Sequence, residues 1–153
     1  MHLTGMTPHP HEAWMIQTAR NLTMERWGFL SSGQYLIHGR DGKYGPAFHQ
    51  IIDTAGVERV PLPARSPNLN AYAERWVRSV KGEVLSRIIL FGEGSLRHVL
   101  NEYVEHYHWE SNHQGKGNVL LFPAVGQDME RQGAIQCRER LGRLLKYYEQ
   151  KAA

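Results

Sequence analysis

Residues 35–62 read YLIHGRDGKYGPAFHQIIDTAGVERVPL. Tyr35-Leu36-Ile37-His38 is a short apolar run with a Gly-Gln lead and a Gly-Arg-Asp-Gly exit, the bounded pattern of a buried strand. Pro46 to Ala55 follows, with Phe48, Ile51, Ile52 and Ala55 at helical spacing and Gly56 just beyond as a C-terminal stop. Val57 to Leu62 then reads as a second strand.

Upstream, residues 1–10 (MHLTGMTPHP) are an irregular, Pro- and Gly-marked lead-in. A helix is predicted from about His11 to Met24, with Trp14, Met15 and Leu22 as its buried positions. Downstream, Pro61, Pro63 and Pro67 punctuate a loop, and Asn70 is placed to cap a helix from Ala71 to about Ser86. Ser95 to Tyr107 carries Leu96, Val99, Leu100, Tyr103, Val104 and Tyr107, the stripe of one buried helical face. After a polar, Gly-rich turn and the apolar Val119 to Val125, a last helix is predicted from Ala134 to Gln150. Its apolar marks are Ile135, Leu141, Leu144, Leu145 and Tyr148, interspersed with Arg138, Arg140, Arg143 and Lys146. The order helix, strand, helix, strand, helix implies an α/β layer fold with part of its sheet missing. The chain thus parses into the lead-in, a core over 11–125, and a C-terminal amphipathic helix within 126–153.

At 153 residues the chain is long enough to bury one core and short for two independent ones. Hydrophobic residues at 41% and charged residues at 22% set it apart from disordered chains. The single cysteine, Cys137, excludes an internal disulfide and a Cys-based zinc site within one chain. No apolar run is long enough for a membrane span or a secretory leader, so a cytoplasmic protein is expected, with no membrane partner. Eighteen Lys and Arg against fifteen Asp and Glu give a net charge of +3, a mild bias compatible with a nucleic-acid partner.

Two acids carry the chemistry. Glu74, Arg78 and Lys81 fall at i, i+4 and i+7 of one predicted helix, so a carboxylate and two cations share a face. Read locally this is a solvated ion pair; paired with a second carboxylate it becomes half of a metal site. Asp41, just past the first strand, is the candidate for that second acid, although Arg-Asp-Gly-Lys is also ordinary turn chemistry. A strand-end Asp and a helix Glu can converge on a hard divalent cation such as Mg²⁺ or Mn²⁺. His106, His108 and His113 near Glu105 and Glu110 offer zinc-type donors, which makes a His-rich zinc hydrolase the rival enzyme class. Their spacing favours fold-supporting or DNA-facing roles.

The stretch Tyr35-Leu-Ile-His-Gly-Arg-Asp-Gly-Lys-Tyr, followed by Ser66-Pro-Asn-Leu-Asn-Ala-Tyr-Ala-Glu-Arg-Trp-Val-Arg-Ser-Val-Lys, resembles the integrase catalytic core of transposases from bacterial insertion sequences. His106-Tyr-His-Trp-Glu-Ser-Asn-His-Gln-Gly-Lys-Gly is similar to that family's closing region, and the resemblance runs from about Thr7 to Ala124. It implies a ribonuclease H-like fold, truncated at its N-terminal strands. It also implies DNA integration chemistry by an Asp, Asp, Glu triad binding two Mg²⁺ ions, with DNA as substrate and no small-molecule substrate. Glu74 matches the triad Glu. The second triad Asp falls where this chain has Gly39, Asp41 matches the acid that accompanies it, and the first Asp has no counterpart.

The expectation is therefore a partial transposase core that does not cut or join DNA alone. Glu74 and Asp41 are its candidate catalytic and metal residues, and Arg75, Arg78 and Lys81 its DNA-backbone contacts. The alternative is a catalytically dead remnant that binds DNA, a full-length transposase or itself.

Overall fold

The structure, a computed structural model, describes residues 2–113, 119–120 and 134–150. The chain divides into two compact units, one of His2–Val77 and one from Arg78 onward.

In the first unit, residues 2–10 form neither helix nor strand, as the Pro and Gly content leads one to expect. Helix α1 (Glu12–Thr23) begins at His11, whose Nδ1 accepts the Trp14 N–H at 3.2 Å, an imidazole in the capping role usually taken by Ser or Asp. Strand β1 (Tyr35–His38) leads into α2 (Pro46–Thr54), which starts on a proline that has no N–H to leave unpaired. Gly56 follows α2 with a φ of +71° and turns the chain into β2 (Glu58–Pro61). The two strands pair in parallel, Tyr35 opposite Glu58 and His38 opposite Pro61, with α2 as the crossover that parallel pairing requires.

α1 packs on α2, and α2 on β2. Met15, Ala19, Phe48, Ile52 and Val57 are buried together, with Trp14, Leu30, Leu36, Tyr44, Ile51 and Ala55 against them. The helices cover one face of the strand pair, that of Leu36 and His38. The other face leaves Tyr35 63% and Ile37 51% exposed, an unusual state for parallel strands, which are normally covered on both sides. A 3-10 turn at Pro67–Asn70 then delivers the chain into α3 (Ala71–Val80).

The second unit contains a π-helical turn, Lys81–Leu85, that follows α3 directly in the chain, and the long helix α4 (Gly92–Trp109), which the π turn contacts. Val80, Val84, Val99 and Tyr103 are its buried apolar residues, with Leu145 from the C-terminal segment. Burial pushes the Tyr103 hydroxyl well above the usual phenol range, and the negative charge of Glu83 adds to the shift. β3 (Asn112–His113) and β4 (Val119–Leu120) make a minimal antiparallel pair.

The C-terminal helix expected at Ala134 to Gln150 is not formed. The chain makes an antiparallel hairpin there, β5 (Ile135–Arg140) and β6 (Leu145–Gln150), with Arg140 opposite Leu145. The turn explains the correction, because Leu141, Gly142 and Arg143 have φ of 51°, 63° and 75°, three successive left-handed residues that no right-handed helix accommodates. Leu145, Tyr147 and Glu149 lie on the more buried side of β6, and Lys146, Tyr148 and Gln150 are exposed, a period of two. The stretch 121–125 and residues 126–133, expected to be an apolar segment and the approach to that helix, lie outside the described residues. Among the described residues no helix is long and apolar enough to cross a membrane.

The observed class is mixed α/β, and the described residues form three two-stranded sheets.

Candidate nucleic-acid interface

The proline loop ends where the sequence placed it, and α3 begins at Ala71 directly after the 3-10 turn. Glu74 stands in its first turn and is exposed, as are Arg75 and Arg78 along the helix and Lys81 at the start of the π turn. Glu74 enters none of the ion pairs among the described residues, so the local i, i+4 pairing with Arg78 does not form. Trp76 and Ser79 are half-buried and Val80 is buried, which leaves the charged positions on the open side. A helix whose first turn carries a carboxylate and whose following turns carry three cations can meet phosphates without reading bases.

Asp41 lies in the loop that leaves β1. Its Oδ1 accepts the Lys43 N–H at 3.1 Å and its Oδ2 pairs with Lys43 Nζ at 3.0 Å, while its carbonyl accepts the Tyr44 N–H at 3.1 Å. The backbone and side chain of Lys43 hold its carboxyl below the usual carboxylate range. Arg40 ties the same loop to the end of β2 through its Nε–H and the Leu62 carbonyl, at 2.9 Å. A Cβ placed on Gly39 meets nothing within 4 Å.

For the Mg²⁺ or Mn²⁺ that the resemblance implies, this donor set does not fit a two-ion centre. One of its two carboxylates is committed to its own loop and to Lys43. Among the described residues no three His, Cys, Asp or Glu side chains are arranged to hold an ion.

Comparison with family models, curated proteins and solved structures returns no match to this chain.

Near the end of α4, His106 is engaged with a carboxylate. His106 Nδ1–H donates to Glu110 Oε2 at 3.0 Å, and both residues are buried. Arg140, arriving from β5, donates from Nε at 2.9 Å to Oε2 and from an Nη at 2.8 Å to Oε1 of the same carboxylate, and reaches Glu102 at 3.0 Å. Burial pushes the Glu110 carboxyl up, but the hydrogen bonds from Arg140 and His106 outweigh it and hold the group below its ordinary value. The side chain of His113, and Lys116 in the closing segment, lie outside the described residues.

Sequence reasoning assigned Arg140 to a solvated helix, and no local pattern reveals that it joins Glu110 thirty positions earlier. It also passed over His38 and His49. The signal for His38 was present, since residues two apart on a strand share a side and Leu36 is a core position.

Proposed function

We propose that the chain is a DNA-binding part of an integrase-type, ribonuclease H-like transposase core, taking the DNA backbone along α3 and cutting or joining no DNA by itself. The observation that carries this reading is the exposure of Arg75, Arg78 and Lys81 on a helix that leaves a proline loop straight after the strand, helix, strand unit. Phosphate contacts of this kind position a protein on duplex DNA and carry no sequence preference. The absence of strand cleavage is supported by Gly39 at the end of β1 and by the commitment of Asp41 to Lys43.

Fluorescence anisotropy with duplexes of several sequences tests the binding. Arg78→Gln and Lys81→Gln should each weaken affinity equally for every duplex and reduce the slope of log affinity against log salt by about 0.9. Sequence-dependent losses, or a slope that does not change, would refute the assignment. Incubation of supercoiled plasmid with Mg²⁺ or Mn²⁺ tests the second half. Nicking that disappears in Glu74→Ala would show a working centre and overturn the claim of inactivity.

A second reading, association with a longer core or with a second copy, has one specific observation in its favour: the uncovered face of β1 and β2 at Tyr35, Ile37 and Val60. Sedimentation velocity over a concentration series distinguishes it, since Ile37→Lys should abolish any self-association and leave DNA binding intact.

A further inference from the structure

Where the 3-10 turn runs into α3, Leu69 is 57% and Tyr72 87% exposed. On either side of them in the chain stand Arg65 and Arg75, both exposed, and neither enters an ion pair among the described residues. All four residues belong to the first unit. Other exposed aromatic rings of that unit are already engaged: Trp27 carries Arg26 at 5.3 Å, and Phe29 is stacked on His2 at 5.1 Å. Among the described residues Tyr72 enters neither kind of contact.

We infer that Leu69, Tyr72 and Arg75 form a stacking site for one unpaired nucleobase, so that this surface takes DNA with an unpaired stretch in preference to fully paired DNA. The inference rests on the DNA-binding reading above and goes beyond it, because a phosphate contact registers charge and not whether a base is paired. Residues three apart on a helix are neighbours, about 5–6 Å between Cβ atoms, so Arg75 stands one turn along from Tyr72. A base lying on the ring would bring its own phosphate within reach of that guanidinium. Glu74 does not stand between the two, since residues two apart on a helix do not face each other.

The occupant follows from the mixture of groups. Inside a duplex a base offers only its edges, because its faces are covered by the bases above and below, and Tyr72 gains nothing from it. An unpaired base presents a flat face whatever its identity, and a ring flanked by cations is the usual means of holding one without reading sequence. An apolar protein surface fits less well, since docking it would take Arg65 and Arg75 out of water and supply no charge in return.

The test uses the full chain and two duplexes of equal length and phosphate charge, one fully paired and one with a short mismatched bubble containing 2-aminopurine. Fluorescence anisotropy should give tighter binding to the bubble by about fivefold to a hundredfold, the range of a single base–aromatic stack, and 2-aminopurine emission should fall on binding. Tyr72→Ala should bring the bubble affinity down to that of the paired duplex, with the salt slope for the bubble unchanged because no charge is lost. Tyr72→Phe keeps the ring and should keep the preference. Far-UV circular dichroism matching wild type shows that both variants fold, as expected at so exposed a position. Equal affinity of wild type for the two duplexes would overturn the inference and leave the backbone-binding reading standing. A bubble preference retained by folded Tyr72→Ala would place the contact elsewhere and overturn it equally. Binding to neither duplex would overturn the inference together with the reading it rests on.

Discussion

Replacing Arg140 with Met tests the ion network that fastens the hairpin to α4. Glu110 is 4% exposed and receives three of its hydrogen bonds from Arg140, so the substitution leaves a buried carboxylate without its main partner. Breaking a buried pair from one side costs about 3–5 kcal/mol, and we expect the lower end, about 3 kcal/mol, because two other groups still face the charge. They are His106 at 3.0 Å and Arg138 at 3.6 Å. Because the chain has two units, a single melting temperature is not the right readout. Hydrogen exchange of the β5 and β6 amides reports the hairpin locally, and 3 kcal/mol corresponds to roughly a hundredfold loss of protection. Removing both charges in Glu110→Leu with Arg140→Met should recover much of the loss, since the penalty lies in the unpaired charge and not in the missing contact. If Arg140→Met leaves exchange unchanged, or the double variant is as unstable as the two single effects added, the network does not hold the hairpin as argued.

The same carboxylate predicts a pH limb. Glu110 is held below its ordinary value when folded, so its contribution is fully present above the unfolded-state carboxyl pKa of about 4.3 and is lost as pH falls through the lower folded value. Far-UV circular dichroism under acid should show that limb in wild type and not in Glu110→Gln. Ile52→Ala, at a position with no exposure, should destabilise the first unit by about 2–5 kcal/mol, read from near-UV circular dichroism in urea. Gly56→Ala and Gly142→Ala both place a Cβ on a left-handed residue at about 1–2 kcal/mol, but only Gly56 adds a clash, 2.5 Å from Ser32 Oγ. The urea midpoint of the first unit should therefore fall further in Gly56→Ala than that of the second unit does in Gly142→Ala. Gly39→Asp should fold with a melting profile within error of wild type, since its Cβ meets nothing within 4 Å and Gly39 is not one of the left-handed glycines.

The elements legible from sequence are those with strong punctuation. β1, α2 and β2 lie between Gly33, Gly39, Pro46 and Gly56, and each forms within a residue or two of its expected bounds. α4 follows from a stripe long enough to leave one interpretation. The C-terminal segment misleads because Leu141, Leu144, Leu145 and Tyr148 fall at helical intervals, although two of the four sit in or beside the turn. Gly142 in mid-segment and the alternation after Leu145 were the stronger signals, and a period of two in a short run is easily masked by leucines that belong to a turn. The charged face of α3 was legible because helical phase alone decides it. The state of Asp41 was not, since whether a turn carboxylate faces its neighbour or an ion depends on side-chain geometry. Glu110 was still further from reach, because its burial depends on an arginine that only the hairpin brings near.

The clasp at Glu110 also sets the order in which the second unit can become complete. A charge at the end of α4 cannot be comfortably withdrawn from water until Arg140 has been synthesised and the turn at Leu141–Arg143 has closed. Until then, α4 has reason to keep its last turn wet. During synthesis, or after proteolytic loss of the final residues, the exposed state of that helix end is the natural one, and the hairpin acts as the latch that permits it to close.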